Sequence, residues 1–507
     1  MNSKINENDI IIIGSGFAGL AAGIYAQMNG YKTQIFEMHD KPGGLCTSWK
    51  RKGFTFDGCI HWLVGSNPES SFNRLWKETG IAQDRNFINM DEYMRFEGSD
   101  GRTLIFYSDI TRLEKHLLEF SPADEKPIKD FTEGIRMCIL FDQPSDNAPL
   151  YKRLLKKFMI GINFLINGRK IRQWMKITAK DFASRFKDPL LKGAFEEMWI
   201  PEFSMFFMLF TFAYLNNKNA GYPIGGSSPM SEALAKRYIN LGGKINYKKK
   251  VIKIIVEDNK AAGIILEEGS FHYAAKVISG ADGYSTIFNL LDGKYTDDKT
   301  REPYEKWPIF QPLILVGLGV NRTFENEPVS VSGFSYPLQQ SVIIGDAERQ
   351  RMWIHVYNHD SSMAPAGKTT IIVMLNSVYD FWKKLAENES AYRQKKDETA
   401  RTVIGVLEKR FPAISSQVEV VDVATPLTFE RYTGNWQGSF EGWLITPANS
   451  HVVMKPMPQT LPGLENFYMC GQWVEPGGGL PTSIMSGRRL IKALCKKDRR
   501  KFRAVVD

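Results

Sequence analysis

Residues 9–37, DIIIIGSGFAGLAAGIYAQMNGYKTQIFE, restrict the fold of this chain more than any other stretch. Four consecutive isoleucines at 10–13 suit a strand buried on both faces. Gly14, Gly16 and Gly19 follow with the spacing G-x-G-x-x-G, and Ser15 and Ala18 stand between them. Gly14 permits a tight turn, Gly16 lets a pyrophosphate approach the backbone, and Gly19 lets the next helix pack on the strand. The helix expected over 18–29 is rich in small residues, and its N-terminus offers free N–H groups and a positive dipole end to phosphate. Gly30 ends it. KTQIF is the second strand, and Glu37 closes it 21 residues after Gly16, where a carboxylate can accept hydrogen bonds from ribose hydroxyls. Strand, turn, helix, strand and acid come in the order of a dinucleotide-binding unit.

Other segments extend this pattern. HDKPGGLC follows Glu37 at once and carries the pair Gly43 and Gly44, then Leu45. Residues 222–282 read as a glycine turn, an amphipathic helix over 230–241, strands near 244–247, 250–257 and 261–267, and a short strand in KVISGAD that leads to Asp282. Near the C-terminus, FYMCG is a short buried strand and PGGG, 476–479, a loop whose backbone approaches something flat. A helix opening at Pro481 or Thr482 aims its positive end at the same place. FTFDGCIHWLVGS, 54–66, holds His61, whose imidazole titrates near neutrality and suits proton donation or substrate orientation as well as a structural role. TPLTFERYTGNWQGSFEGW, 425–443, holds a second catalytic candidate, Glu430, for which an internal ion pair with Arg431 is the plainer reading. Tyr432 and Trp436 read as pocket wall.

These motifs, in this order and separation, resemble the phytoene desaturase-type FAD-dependent oxidoreductases, the family of carotenoid desaturases, carotenoid isomerases and retinol saturase. The resemblance spans nearly the whole chain. It implies FAD held by Gly14, Ser15, Gly16, Ala18, Gly19 and Glu37, by Gly43, Gly44 and Leu45 where the chain wraps the pyrophosphate, by the backbone of Val251 beside the adenine, by Asp282, and by Gly471, Gln472, Gly479 and Leu480 at the flavin. Leu45 stands where Arg is common, and Gln472 where Asp is common, so the ribityl contact comes from a neutral amide. The resemblance also implies hydride transfer between flavin N5 and a carbon of a long apolar, carotenoid-, retinoid- or isoprenoid-like substrate, with His61 or Glu430 moving a proton. The FD-x-G-x-H segment leans toward the saturase direction. Redox-neutral isomerisation by reduced FAD stays open. So do amine oxidation, with Trp62, Trp436 and Trp473 as an aromatic cage, and a non-catalytic lipid-binding flavoprotein. Cys470 beside the flavin motif reads as a buried structural thiol rather than a covalent flavin link.

The expected fold is α/β. A Rossmann-type FAD-binding domain of the glutathione reductase-like superfamily is assembled from 1–111, 220–290 and 426–507. A mixed-sheet substrate-binding domain occupies 291–425 and a helical, membrane-associating subdomain 112–219. No second G-x-G-x-x-G is present, and VGLGV at 316–320 reads as strand, so a separate NAD(P)H domain is not expected. Five scattered cysteines without CxxC suggest neither zinc nor disulfides, and no cluster has metal-ligand spacing. The polar N-terminus lacks a secretory layout, so a cytoplasmic protein is expected, peripheral on the inner face of the membrane. The apolar run 199–215 is broken by Pro201 and Glu202 and reads as a buried helix, not a span. Thirty-two Phe and eleven Trp fit large cores or a long apolar pocket. Net charge is +9, and 151–180 alone holds nine Lys or Arg and no acid. On a helical wheel Lys152, Arg153, Lys156 and Lys157 oppose Tyr151, Leu154, Leu155, Phe158, Met159 and Ile162. That pattern suits an anionic membrane surface, and no recognition motif accompanies it to suggest nucleic acid.

Overall fold

The structure is a computed structural model and describes residues 9–83, 85–139, 150–477 and 479–506. A five-stranded parallel sheet forms around the first strand, Asp9–Ile13. Lys32–Phe36 and then Lys244–Asn246 lie on one side of it, Lys276–Ser279 and then Phe467–Met469 on the other. Ile12 is fixed in register with Ile35 and Ile278, and isoleucines 10–13 are all buried, which is what a central parallel strand needs. The helix Phe17–Met28 follows, one residue earlier at each end than expected, and the C-terminal helix Gly479–Lys497 packs along it. A Cβ at Gly19 would meet the Gly14 carbonyl oxygen at 2.1 Å and the Ile12 side chain at 3.4 Å, so the helix approaches the strand as closely as the motif predicts. Val251–Glu257, Lys260–Leu266 and Phe271–Tyr273 form a three-stranded antiparallel sheet; its last strand was not expected.

A seven-stranded mixed sheet makes the second layer, in the order Val418–Ala424, Leu313–Val320, Thr369–Asn376, Ala347–Val356, Phe334–Ile344, Glu92–Glu97, Thr103–Tyr107. Its last two strands correct the expected boundary at 111. They leave the cofactor domain and pair through Arg95 and Phe96 with Phe334 and Ser335, the only parallel contact in that sheet. VGLGV is strand, as expected, and all eight residues of Leu313–Val320 are buried. Its glycines have a steric reason. The rings of Phe56 and Phe54, from the strand Phe54–Asp57, lie where side chains at Gly317 and Gly319 would be, within 2.5 and 2.6 Å of an added Cβ.

The helices Ile110–Phe120, Glu125–Ile139, Leu150–Met175, Pro189–Glu197 and Met205–Asn216 form the third part and share a core with the seven-stranded sheet. Met205–Asn216 is apolar on every side because both sides are covered. Met205, Met208, Leu209 and Phe212 enter the main core, while Phe206, Phe207, Phe210 and Tyr214 line a cavity. Among the described residues no helix is long and apolar enough to cross a membrane.

Candidate active site

One cavity of about 2300 Å³ runs through the molecule, well beyond the ~300–1000 Å³ of an ordinary small-molecule site. One end is the glycine cradle. Gly14, Gly16 and Ala18 line it with Glu37, Gly43, Gly44, Leu45 and Val251, then Asp282, Gly471, Gln472, Gly479 and Leu480. Residues of the motifs at 14–19, 37–45, 251, 282 and 471–480 therefore line one cavity from separate parts of the chain. Ser15 and Gly19 act behind the lining: Ser15 holds Glu37, and Gly19 holds the helix against the strand.

The local geometry explains why. Gly14 has φ +90°, which a residue with a side chain rarely adopts, and it starts the turn that brings Gly16 beside Gly43. Gly16 caps the helix with no side-chain hydrogen bond, so the first N–H groups are left for a ligand. A Cβ on Gly16 would meet no atom nearer than 4.0 Å. Glu37 Oε2 accepts from the Ser15 N–H at 2.7 Å and the Ser15 hydroxyl at 2.8 Å, and Oε1 accepts from the His39 N–H at 2.8 Å. Two carboxylate oxygens have about four acceptor sites, so acceptor capacity remains for ribose hydroxyls. An uncapped helix N-terminus, an open glycine edge and a fixed carboxylate are what FAD needs, and the lining fits it. Asp282 is the exception. Its carboxylate accepts from the N–H groups of Ser285 at 2.7 Å and Trp436 at 2.9 Å, and burial pushes its pKa up to about 6. It ties the 436 segment to the parallel sheet, although it also faces the cavity.

The other end is an aromatic chamber. Trp62 meets Trp199 edge-on at 6.3 Å, Trp199 stacks on Phe203 at 5.1 Å, and Phe203 stacks on Phe207 at 4.9 Å. The three tryptophans proposed as an amine cage divide between two groups. Trp62 belongs to this chamber, whereas Trp436 lies flat on Tyr284 at 4.7 Å and the Trp473 indole donates to Asn435 at 3.0 Å.

His61 stands between the two ends. Its loop is anchored by Asp57, buried at the end of the strand Phe54–Asp57, whose carboxylate accepts from the N–H groups of Cys59 at 2.9 Å and Ile60 at 3.1 Å and from the N–H and hydroxyl of Ser227, both at 2.6 Å. Ser227 opens the helix Ser227–Asn240, so a buried carboxylate sits at a helix N-terminus. Burial first, and His359 second, push the His61 pKa down to about 4. His61 is therefore a neutral proton acceptor at pH 7.

Glu430 lines the cavity, but Tyr379 donates to it at 2.7 Å, and Arg431 instead lies over the Tyr432 ring. The expected ion pair with Arg431 does not form. Two residues escaped the sequence reading. His355, on Ala347–Val356, lines the cavity with its ring 4.4 Å from that of His61. Glu441 also lines the cavity and accepts from the Gly479 N–H at the start of the C-terminal helix, and burial pushes its pKa up to about 7. A carboxyl in SFEGW gives no local signal of this, because Gly479 is distant in sequence. Cys470 is buried, and burial drives its thiol up to about 12, as a structural cysteine requires. All five cysteines are free.

Comparison with known proteins gives one family and two kinds of relative. Residues 17–490 match the family model described as flavin containing amine oxidoreductase. Prolycopene isomerase from Daucus carota is 25% identical over 96% of this chain and 79% of its own length. Phytoene desaturase (lycopene-forming) from Pseudescherichia vulneris is 23% identical over 94% of this chain and 97% of its own. Among solved structures, an oxidoreductase from Methanosarcina mazei superposes with a TM-score of 0.58 at 17% identity, covering 96% of this chain and all of that one. Putrescine oxidase bound to putrescine reaches 0.62 at 13% identity over 96% of this chain and 99% of that one. At such identities the structures speak for the fold.

Proposed function

The chain belongs to the flavin containing amine oxidoreductase family and is an FAD-dependent oxidoreductase, and from that premise we propose that it acts on carbon–carbon bonds of a long, carotenoid-type polyene. The observation that carries this reading is the continuity of one cavity from the glycine cradle to the aromatic chamber. FAD, when bound, supplies the hydride chemistry. The chain's own residues do the rest. The rings of Trp62, Trp199, Phe203 and Phe207 bind and align an apolar chain and exclude water. His61, neutral and desolvated, exchanges a proton with the carbon next to the one that exchanges hydride. Glu441 is half-protonated near neutrality and can give a hydrogen bond into the cavity beside Gly479. The relatives' names, an isomerase and a desaturase, support desaturation or double-bond rearrangement; the saturase direction draws no support from them.

The test is incubation of the FAD-loaded protein with phytoene, prolycopene and, separately, a panel of primary amines. Products from a polyene by chromatography, with no peroxide from the amines, support the reading; peroxide from an amine and no change in either polyene overturn it.

We also propose that the protein works at an anionic membrane surface, peripheral on its inner face. The helix Leu150–Met175 exposes Tyr151, Leu155, Phe158, Met159, Ile162 and Ile166. Ile166 is 72% and Phe158 65% exposed, unusual for rings and branched chains on one helix. The side chains of Lys152, Arg153, Leu154, Lys156 and Lys157 lie outside the described residues. The C-terminal end of this helix meets the start of Met205–Asn216, the helix whose Phe206, Phe207 and Phe210 line the cavity: the Ser204 hydroxyl, its N-cap, donates to the Met175 carbonyl at 3.1 Å. A polyene leaving the bilayer would enter beside it.

A further inference from the structure

Behind the His61–His355 stack lies a second, separate cavity of about 10 Å³. Its wall includes His61, His355, His359, Tyr222 and Tyr357. Space of this order holds one water if two to four polar groups receive it. The receivers are present. Neither ring nitrogen of His359 has a protein partner, nor does the hydroxyl of Tyr357, and all three atoms are buried. Tyr357 as a whole is 4% exposed. Leaving such atoms unpaired costs about 1–3 kcal/mol each, a cost that one shared water removes. Tyr222 is already engaged, since its hydroxyl donates to Asp360 at 2.9 Å.

We propose that His355 and His359 form, with His61, a proton relay that leads from the aromatic chamber through one buried water to the Asp360 corner. The relay rests on the function proposed above. In the desaturating direction one substrate carbon would give up a hydride, which carries both electrons, with FAD as the acceptor. The neighbouring carbon loses a proton to His61, and a double bond forms between them. The proton passes from His61, directly or through His355, to the water and on to His359. Burial holds His61 and His359 alike at about 4 and His355 well below its ordinary value, and Asp360, next to His359, raises that ring's proton affinity against its burial and gives the relay an acidic terminus. The remaining titratable groups around the cluster are fixed. Asp57 is held by the donors that shape the His61 loop, and Asp360 accepts from Gly225, Tyr222 and Ser362. The Cys59 thiol is pushed up by its hydrogen bond with Cys46 and then by burial, the Tyr357 and Tyr222 hydroxyls by burial, and all three keep their protons.

Two experiments test this. The chain has only seven histidines, so histidine-selective 15N labelling of the FAD-loaded protein resolves the cluster without any substrate. The relay requires a long-lived water in contact with the His359 ring. It also requires that signal to weaken in Tyr357→Phe, which removes one hydroxyl and little else, and to vanish in His359→Leu. Absence of the water signal in the wild type overturns the proposal. The second experiment uses phytoene and prolycopene in H2O and D2O. His355→Phe and His359→Gln should each slow turnover at least tenfold and change the solvent isotope effect, with FAD content and KM unchanged. Turnover and isotope effect equal to the wild type would overturn it. If the wild type turns over neither polyene, the functional reading fails and the nuclear resonance result alone decides the relay.

Discussion

The Glu37 carboxylate grips both the backbone and the hydroxyl of Ser15, 22 residues away, through Oε2 at 2.7 and 2.8 Å. This pair locks the glycine turn to the end of the second strand and so fixes the cradle before any ligand arrives. Gly16→Trp fills the cradle's open edge and is expected to abolish FAD binding while the protein stays folded. Flavin absorbance per protein after desalting checks it; full occupancy in the variant would mean the pyrophosphate lies elsewhere.

His61→Ala is expected to lower turnover by about 10²–10⁴, the usual size of a general acid–base contribution, with FAD content unchanged. Steady-state kinetics on the polyene that passes the first test decide this. An unaltered kcat would return His61 to a purely structural role.

Glu441 makes a pH prediction with a definite sign. Its folded pKa, about 7, lies above that of a free glutamate, so the native state binds more protons than the unfolded one between about 4.5 and 7. Stability contributed by this group is therefore greatest below about pH 4.5 and is lost as pH rises toward 7. Glu441→Gln, which keeps the neutral shape, is expected to match the wild type at pH 4.5 and exceed it by up to about 3 kcal/mol at pH 9. Denaturant midpoints at the two pH values measure it, and a constant difference would show that the carboxyl titrates normally.

Gly317→Ala places a methyl group 2.5 Å from the Phe56 ring inside a fully buried strand. Overpacking of this kind costs about 1–3 kcal/mol. The variant is expected to melt lower, and Phe56→Leu in the same chain to recover part of the loss. Two independent, additive penalties would contradict direct contact between these residues.

For membrane docking, the protein should co-sediment with anionic phosphatidylserine vesicles and be partly released by salt. Replacing Lys152, Arg153, Lys156 and Lys157 with Glu, or Phe158 and Ile166 with Ser, should each weaken binding without loss of FAD. Wild-type binding by both variants would remove the helix Leu150–Met175 from consideration.

What the sequence revealed and what it hid follow one physical division. The cradle was readable because strand, turn and helix between Asp9 and Glu37 interact over short separations, and each glycine has a local steric reason. The all-apolar helix Met205–Asn216 was readable as buried, but not as two-sided, because only packing shows that Phe206 and Phe210 look into the cavity while Phe212 enters the core. The strands Glu92–Glu97 and Thr103–Tyr107 fell inside the span 1–111 expected for the cofactor domain, since their link to the second layer is a short parallel pairing with residues some 240 positions later. His355 and Glu441 were missed for the same reason. An isolated histidine in a strand or a glutamate in a loop becomes a candidate acid or base only through neighbours that fold brings from elsewhere.

The five-stranded parallel sheet carries a consequence for biosynthesis. Its first strand begins at Asp9, and its edge strand, Phe467–Met469, follows only some 450 residues later in the chain. At about 5–20 residues per second the first strand waits roughly 25–90 s for that edge. Gly471 and Gly479 appear later still. The nascent chain can collapse its helices and hairpins meanwhile, but the cradle is complete only after those residues have emerged. A chain that stops short of Phe467 would therefore keep every earlier element but present an open-edged sheet prone to pairing with its neighbours.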